Sequence, residues 1–467
     1  MSAAIAPFRS SAGRPEMAGP HELAAAWDRE HVIHPWSFAG PSLMIVRGEG
    51  SSYWDASGRE YLDALGGIQL CEIGHGRAEL AEVAAAQMAE LEYAPMFWNF
   101  GNERAAELAH QLVELAPDGI GEVFFTNGGS ESCESAIKMA RLYHYLRGEP
   151  ARTFILSLTH SYHGMTYGAL SASGLSGLKV GFGELPGGFY HLTTPYPYRE
   201  ELYGGEDAFD YCLRELEETI ERLGPERIAA FIGEPVLTVG GVIVPPREYW
   251  RAVTELCHEN GILLIADEVV TAFGRLGEWF ASPKWGMKPD LIATAKGLTS
   301  GYQPLGAVLA TTRVGETLRN AESGFMHGYT YCGHPVACAV ALKNLEIIER
   351  ENLRANANLV GERLLDGLRS LLDLPIVGDV RGAGLLASVE LVADKKSRTP
   401  IEVRRQEIAD RVRDEQGVIV RSIYQNVILA PCLILGEQEA DSIVEALRRV
   451  LATTAADGRS LTSGTIY

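Results

Sequence analysis

Apolar residues recur along this chain in two rhythms, short unbroken runs and longer stretches at helical spacing. The short runs are Glu122 to Thr126, Arg152 to Leu158, Ile228 to Gly233, Ile262 to Ala266, Leu291 to Ala293 and Leu305 to Ala310, and each reads as a buried strand. Helical segments fall between and before them. Arg104 to Leu115 is one, and another carries Phe209, Leu213, Leu216, Ile220 and Leu223 on one face until Gly224-Pro225 stops it. Strands alternating with helices predict an α/β fold, with a mostly parallel central sheet in a large domain and helices on both faces. Ahead of that sheet, Ser42 to Asp63 is hairpin-like and turns at Asp55-Ala-Ser-Gly58. After a long helical pattern from Ala337, new strands begin near Ile376. Gly384 to Leu391, Gly417 to Ser422 and Val427 to Ile434, closed by the helix Glu437 to Leu451, predict a smaller α+β domain. The expected division is therefore a disordered tail over 1–20, an N-terminal segment over 21–75 that joins the small domain, a large domain over 76–340 and a C-terminal small domain over 341–467.

Composition adds limits. The chain has 467 residues, 46% of them hydrophobic, enough to fill substantial cores. Its 41 basic and 61 acidic residues give a net charge of −20, which repels phosphate backbones and anionic lipid, so neither nucleic acid nor membrane is expected as a partner. The cysteines at 71, 133, 212, 257, 332, 338 and 432 form no C-x-x-C pair, a pattern of reduced thiols that fits a cytoplasmic protein. No metal site is expected. His31, His34 and His75 have no neighbours in sequence to complete a ligand set, and His21-Glu22 and His258-Glu259 lack the second histidine of a zinc helix, having Ala25 and Ile262 there.

The chemistry gathers where apolar runs end, because ligands bind outside the carboxyl ends of such strands. Lys296 ends the run from Leu291, where desolvation lowers a lysine pKa and yields the nucleophilic amine of a Schiff-base lysine. Asp267 ends another run, and a carboxylate there needs a cation such as a protonated pyridine nitrogen. Phe124 to Arg141 passes from strand through Gly128-Gly129-Ser130 into a helix, so free N–H groups and the helix dipole make a phosphate site near Gly129 and Ser130; a helix merely capped by Ser130 fits the same residues. Tyr162, in His160-Ser-Tyr-His-Gly164, offers an aromatic face, and Thr330 lies among turn formers with a hydroxyl free for phosphate. Together these groups suit one ligand, pyridoxal 5′-phosphate.

In order and wording these motifs resemble the class III (ω-amino acid, amine:pyruvate) aminotransferases of fold type I, from about residue 40 to the C-terminus. The resemblance implies that Asp267, in Ile265-Ala-Asp-Glu-Val-Val-Thr-Ala-Phe-Gly-Arg275, pairs with the pyridine nitrogen and that Val269 packs beneath the ring. It implies that Tyr162 stacks above, beside His163, and that Lys296 carries the cofactor covalently and acts as acid and base. Gly129 and Ser130 bind the phosphate, as does Thr330 donated across the interface of a homodimer. Gly128, Cys133, Ala272, Leu276 and Cys432 depart from the family's usual residues, Cys432 replacing the second Pro of an Ala-Pro-Pro pattern. Members that use 2-oxoglutarate commonly pair an arginine before that pattern with the Glu of the Glu-Pro motif, here Glu234, but Ile428 stands at the arginine's place. Arg421 matches the mobile arginine of amine:pyruvate members. Gln69 occupies a position often aromatic, and Phe97, Trp98 and Phe100 are candidate apolar walls. The reading is a ping-pong transfer from a primary amine or ω-amino acid to pyruvate, with small amines, amino acids and 2-oxo acids as partners. A 2-oxoglutarate-using aminotransferase and a non-catalytic binding protein on the same fold are its rivals.

Overall fold

In the computed structural model, residues 20–36, 42–402 and 406–455 are described. The expected N-terminal tail lies outside them except for Pro20, which opens the helix Pro20–His31. The hairpin-like stretch is an antiparallel meander of β1 (Ile45–Glu49), β2 (Ser52–Asp55) and β3 (Glu60–Asp63). Its tight turn closes by Gly58 N–H donating to Asp55 O at 3.0 Å, while Asp55 Oδ1 accepts from Ser57 N–H.

The central sheet has seven strands: β4 (Ile120–Thr126), β5 (Phe154–Leu158), β6 (Phe189–Leu192), β7 (Ile228–Gly233), β8 (Leu263–Asp267), β9 (Leu291–Thr294) and β10 (Gly306–Thr311). They lie in the order β4-β10-β9-β8-β7-β5-β6, and β10 alone runs against its neighbours. Strands β7, β8 and β9 are buried along their whole length, as their unbroken apolar runs require. After β4 the chain crosses the sheet along the helix Gly129–Leu146 to reach β5 on the far side, and the order reversal opens a crevice at the carboxyl ends. Strand β6 escapes the sequence pattern because it is a four-residue edge strand behind a Gly-rich run.

The C-terminal strands are β11 (Val377–Ala383), β12 (Leu386–Asp394), β13 (Thr399–Pro400), β14 (Val418–Ile419), β15 (Arg421–Ile423) and β16 (Asn426–Leu429). Most form an antiparallel sheet ordered β11-β12-β16-β15, with β13 on β12. The strand expected over Gly417 to Ser422 is instead two, serving different sheets: β14 pairs in parallel with β3 and β15 pairs with β16. The run expected to Ile434 stops at Leu429, before Pro431, which has no N–H to continue a ladder.

One buried ion pair joins these parts. Arg275, wholly buried in the loop after β8, donates to Glu72 Oε2 at 2.7 Å, to Leu385 O at 2.9 Å and to Pro431 O. Glu72 in turn donates its N–H to Ser300 Oγ at 3.1 Å and accepts from Leu433 N–H at 2.8 Å. Removing one member leaves a bare charge in the core, so Arg275→Met is expected to lower the urea midpoint by the equivalent of about 3–5 kcal/mol. The double variant with Glu72→Gln is expected to recover part of that loss. An unchanged midpoint in the single variant would mean that the pair holds nothing together.

Candidate active site

A cavity of about 490 Å³ opens at the carboxyl ends of the central strands, within the range of small-molecule sites. Lys296 enters it two residues past β9 and takes a left-handed φ of 45°, an unfavourable conformation for a side chain with a Cβ. The surroundings impose it: β9 is fixed between β8 and β10, and a tight turn follows, with Leu298 N–H donating to Ala295 O. Burial pushes the Lys296 amine down to about 8; the carboxylates of Asp267 and Glu234 pull it back up, while Arg421 and Arg275 lower it further.

Asp267, the last residue of β8, is buried with a set of donors arranged around it. Its Oδ2 lies 2.8 Å from His163 Nδ1 and accepts from the Cys133 thiol at 3.3 Å, and its Oδ1 accepts from Val269 N–H at 3.1 Å. Burial and the Asp267 charge hold that thiol well above its ordinary pKa, so Cys133 stays protonated and keeps donating. Glu234 follows β7 and is pushed up to about 7, by burial first and then by Asp267. Its Oε1 accepts from Tyr162 N–H at 3.0 Å, and its Oε2 from the N–H and hydroxyl of Thr238 at 2.8 and 2.9 Å. Glu234 thus sets the backbone that carries Tyr162.

The helix after β4 begins at Gly129, with Gly128 rather than Ser130 as its N-cap, so the first N–H groups face the cavity without intrahelical acceptors. A side chain does not fit at Gly129, where a Cβ would stand 2.7 Å from Val269 Cγ1. Ser130 Oγ accepts from Met165 N–H at 3.1 Å, tying the loop after β5 to the same corner. Tyr162, Val269 and Gln69 line the cavity, Gln69 with a φ of 63° beside the positive-φ pair Gly66-Gly67. Arg421, at the start of β15, reaches the cavity from the C-terminal sheet; its guanidinium lies 5.0 Å from the Trp36 ring, and burial lowers its pKa. No ion pair to Arg421 is found among the described residues.

Other sequence candidates lie elsewhere. Trp98 and Phe100 are 83% and 62% exposed and off this chain's cavity, and Thr330 is exposed, its carbonyl accepting from Tyr93 hydroxyl at 2.9 Å. Conversely, the cavity includes residues to which sequence reading gave no role. Trp36 is one, and Gln406, bonded to both the N–H and the carbonyl of Ser422, is another. Nothing in their local sequence marks them. Cys133 was visible only as an unusual residue in the phosphate-loop helix, not as a donor to Asp267.

The profile of the class-III aminotransferase family matches residues 37–451. The chain is 37% identical to a putrescine–pyruvate aminotransferase of Pseudomonas aeruginosa, over 92% of this chain and 96% of that protein. It is also 37% identical to the mitochondrial γ-aminobutyrate transaminase 1 of Oryza sativa subsp. indica, over 92% of this chain and 84% of the relative. Among solved structures, an (S)-enantioselective ω-transaminase from Thermomicrobium roseum superposes with a TM-score of 0.90 at 44% identity, over 94% and 99% of the two chains. The architecture is thus that of the fold type I transaminases, whose family uses pyridoxal 5′-phosphate.

The residues present suit that cofactor. Among the described residues His163 Nε2 is a buried polar atom with no hydrogen-bond partner, the Gly129 corner excludes any side chain, and helix N–H groups without intrahelical acceptors face the cavity. In cofactor-free protein, acylation of Lys296 by an amine-selective reagent is expected to rise with pH through a midpoint near 8, well below the roughly 10.4 of an ordinary lysine. Peptide mass spectrometry reads it; a midpoint above 10 would show a solvated, unperturbed amine.

Proposed function

This chain belongs to the class III aminotransferases, and we propose that within the family it moves an amino group from a primary amine or ω-amino acid to pyruvate by a ping-pong mechanism. Pyridoxal 5′-phosphate supplies the aldehyde that takes up the amino group and the ring that spreads negative charge from the reacting carbon. Asp267, a buried carboxylate held by His163, Cys133 and Val269 N–H, would keep the ring nitrogen protonated. Gly129 and Ser130, at the helix N-terminus on the cavity wall, would hold the phosphate, and Tyr162 and Val269 would pack against the ring. Lys296, its amine lowered to about 8, removes the proton from the donor carbon and returns it one position away. The acceptor half retraces the path.

The observation that carries the choice of substrate is Arg421, on the cavity wall and leaning on Trp36 rather than on a carboxylate. A guanidinium held by an aromatic face can clamp a substrate carboxylate or withdraw for an apolar amine. Glu234, the partner of a fixed arginine in 2-oxoglutarate users, is here satisfied by Tyr162 and Thr238, and Ile428 is buried in β16. The similarity to a putrescine–pyruvate enzyme supports this reading, while the γ-aminobutyrate relatives support a donor range that includes ω-amino acids.

Thr330 belongs, in the same reading, to the active site of a second subunit. Its exposure outside this chain's own cavity supports that assignment, as do the exposed Trp98, Phe100, Met326 and Tyr331.

The visible spectrum of the cofactor-loaded protein tests the proposal. An amine without a carboxylate is expected to bleach the cofactor band, and pyruvate but not 2-oxoglutarate to restore it. Restoration by 2-oxoglutarate alone would establish the rival acceptor. Lys296→Ala is expected to cut kcat by at least about 10²–10⁴-fold in steady-state assays. Arg421→Leu is expected to raise KM for pyruvate about 10–100-fold, the value of a lost charged hydrogen bond, and to leave KM for carboxylate-free amines nearly unchanged. Equal effects on both substrates would remove Arg421 from carboxylate binding.

A further inference from the structure

Away from the reacting groups, Cys71, His75 and Cys432 converge where the N-terminal segment packs on the chain leaving β16. The two sulfurs and one ring nitrogen all lie within 4.8 Å of one another. Both cysteines are buried, and the His75 side chain is 12% exposed. Cys71 Sγ is 3.5 Å from His75 Nδ1, and the other ring nitrogen, Nε2, is 3.0 Å from Asp63 Oδ2. Asp63 is fixed in turn by the N–H groups of Leu65 and Gly67, at 3.1 and 2.6 Å, and Tyr53 covers the imidazole with ring centroids 4.1 Å apart.

We propose that Cys71, His75 and Cys432 form a binding site for a divalent cation of the zinc class, with Asp63 orienting the imidazole and a fourth position left for water. The donor set is the first reason. Two sulfurs and a ring nitrogen are soft ligands that suit zinc and disfavour calcium and magnesium, which take oxygen. Geometry is the second. Bonds of about 2.3 Å to sulfur and 2.0–2.1 Å to nitrogen at a tetrahedral angle set S and N about 3.5 Å apart, the separation found here. The Asp63 carboxylate behind His75 is the third: it accepts the Nε2 proton and so leaves the Nδ1 lone pair aimed at the sulfurs, as in carboxylate–histidine–zinc triads. Binding exchanges the two thiol protons, and any proton on Nδ1, for the cation. Two thiolates then neutralise its two charges, so no net charge is added to the interior.

Reading along the sequence leaves His75 without partners, and the fold supplies them from four residues earlier and from the far end of the chain. The bound ion would clamp the N-terminal segment to the C-terminal sheet beside the Glu72–Arg275 pair, since Glu72 follows Cys71 directly and its carbonyl accepts from Leu433 N–H.

The test uses full-length, cofactor-loaded protein and zinc ion alone. After incubation and desalting, the wild type is expected to retain one zinc more per chain than Cys432→Ser or Cys71→Ser, by elemental analysis. Cobalt in place of zinc is expected to give thiolate-to-metal charge-transfer absorption in the wild type that both variants lack. Zinc is expected to raise the thermal midpoint of the wild type only. Retained transaminase turnover shows that a variant is folded, and Cys432→Pro, the family's own residue, replaces any variant that is not. Equal metal content in wild type and folded variants overturns the proposal, as does conversion of Cys71 and Cys432 to a disulfide without metal uptake; either leaves a hydrogen-bonded thiol cluster only.

Discussion

The arrangement depends on burying an amine beside carboxylates at the carboxyl ends of the central strands. Lys296, Asp267 and Glu234 each follow or end a strand that is buried along its whole length, so the surroundings provide little dielectric screening. The consequences are opposite in sign. Lys296 is driven toward its neutral form and Glu234 toward its protonated form, while Asp267 accepts hydrogen bonds from the Cys133 thiol and Val269 N–H and lies 2.8 Å from His163 Nδ1. The two carboxylates thus sit in different environments, Glu234 satisfied by Tyr162 and Thr238 and Asp267 by Cys133 and Val269 N–H. The same burial explains why Glu72, pushed up to about 7 behind Gly297, needs Arg275.

What could be read from the sequence was the part in which local pattern and chemistry coincide. A run such as Leu263 to Ala266 followed by Asp267 identifies both the strand and the residue at its tip, because apolar continuity and its abrupt end are one signal. The passage from β4 through Gly128 into the helix Gly129–Leu146 is legible for the same reason, although Gly129 and Ser130 form its first turn rather than a loop before it. What was not legible depends on contacts between distant parts of the chain. Glu72 meets Arg275 across 203 residues, Cys133 meets Asp267 across 134, and Trp36 meets Arg421 from opposite ends of the chain. Each has an ordinary local setting. The division of the strand expected over Gly417 to Ser422 is of this kind too, since β14 is recruited by β3 of the N-terminal segment. Trp98, Phe100 and Thr330 lie exposed and off this chain's cavity, and no local pattern in the sequence signals that placement.

On the role proposed for Arg421, it and Ile428 illustrate how substrate choice could shift without rebuilding the fold. They are direct register partners on the antiparallel strands β15 and β16, so their side chains leave the same face of the sheet at neighbouring points. An arginine at either position can therefore serve nearly the same region. The difference lies in what restrains it. A guanidinium paired with a buried glutamate is fixed, because withdrawing it would strand the carboxylate. With Ile428 in the core and Glu234 satisfied by Tyr162 and Thr238, no such penalty attaches to Arg421, whose found contact is the face of Trp36. A cation–π contact is worth from about 0.5–1 kcal/mol when exposed to about 2 kcal/mol when desolvated, so in the proposed role a charge-assisted bidentate bond to a substrate carboxylate competes with the Trp36 ring for Arg421. Under the proposed function, moving one arginine across this strand pair would exchange a fixed clamp for an optional one.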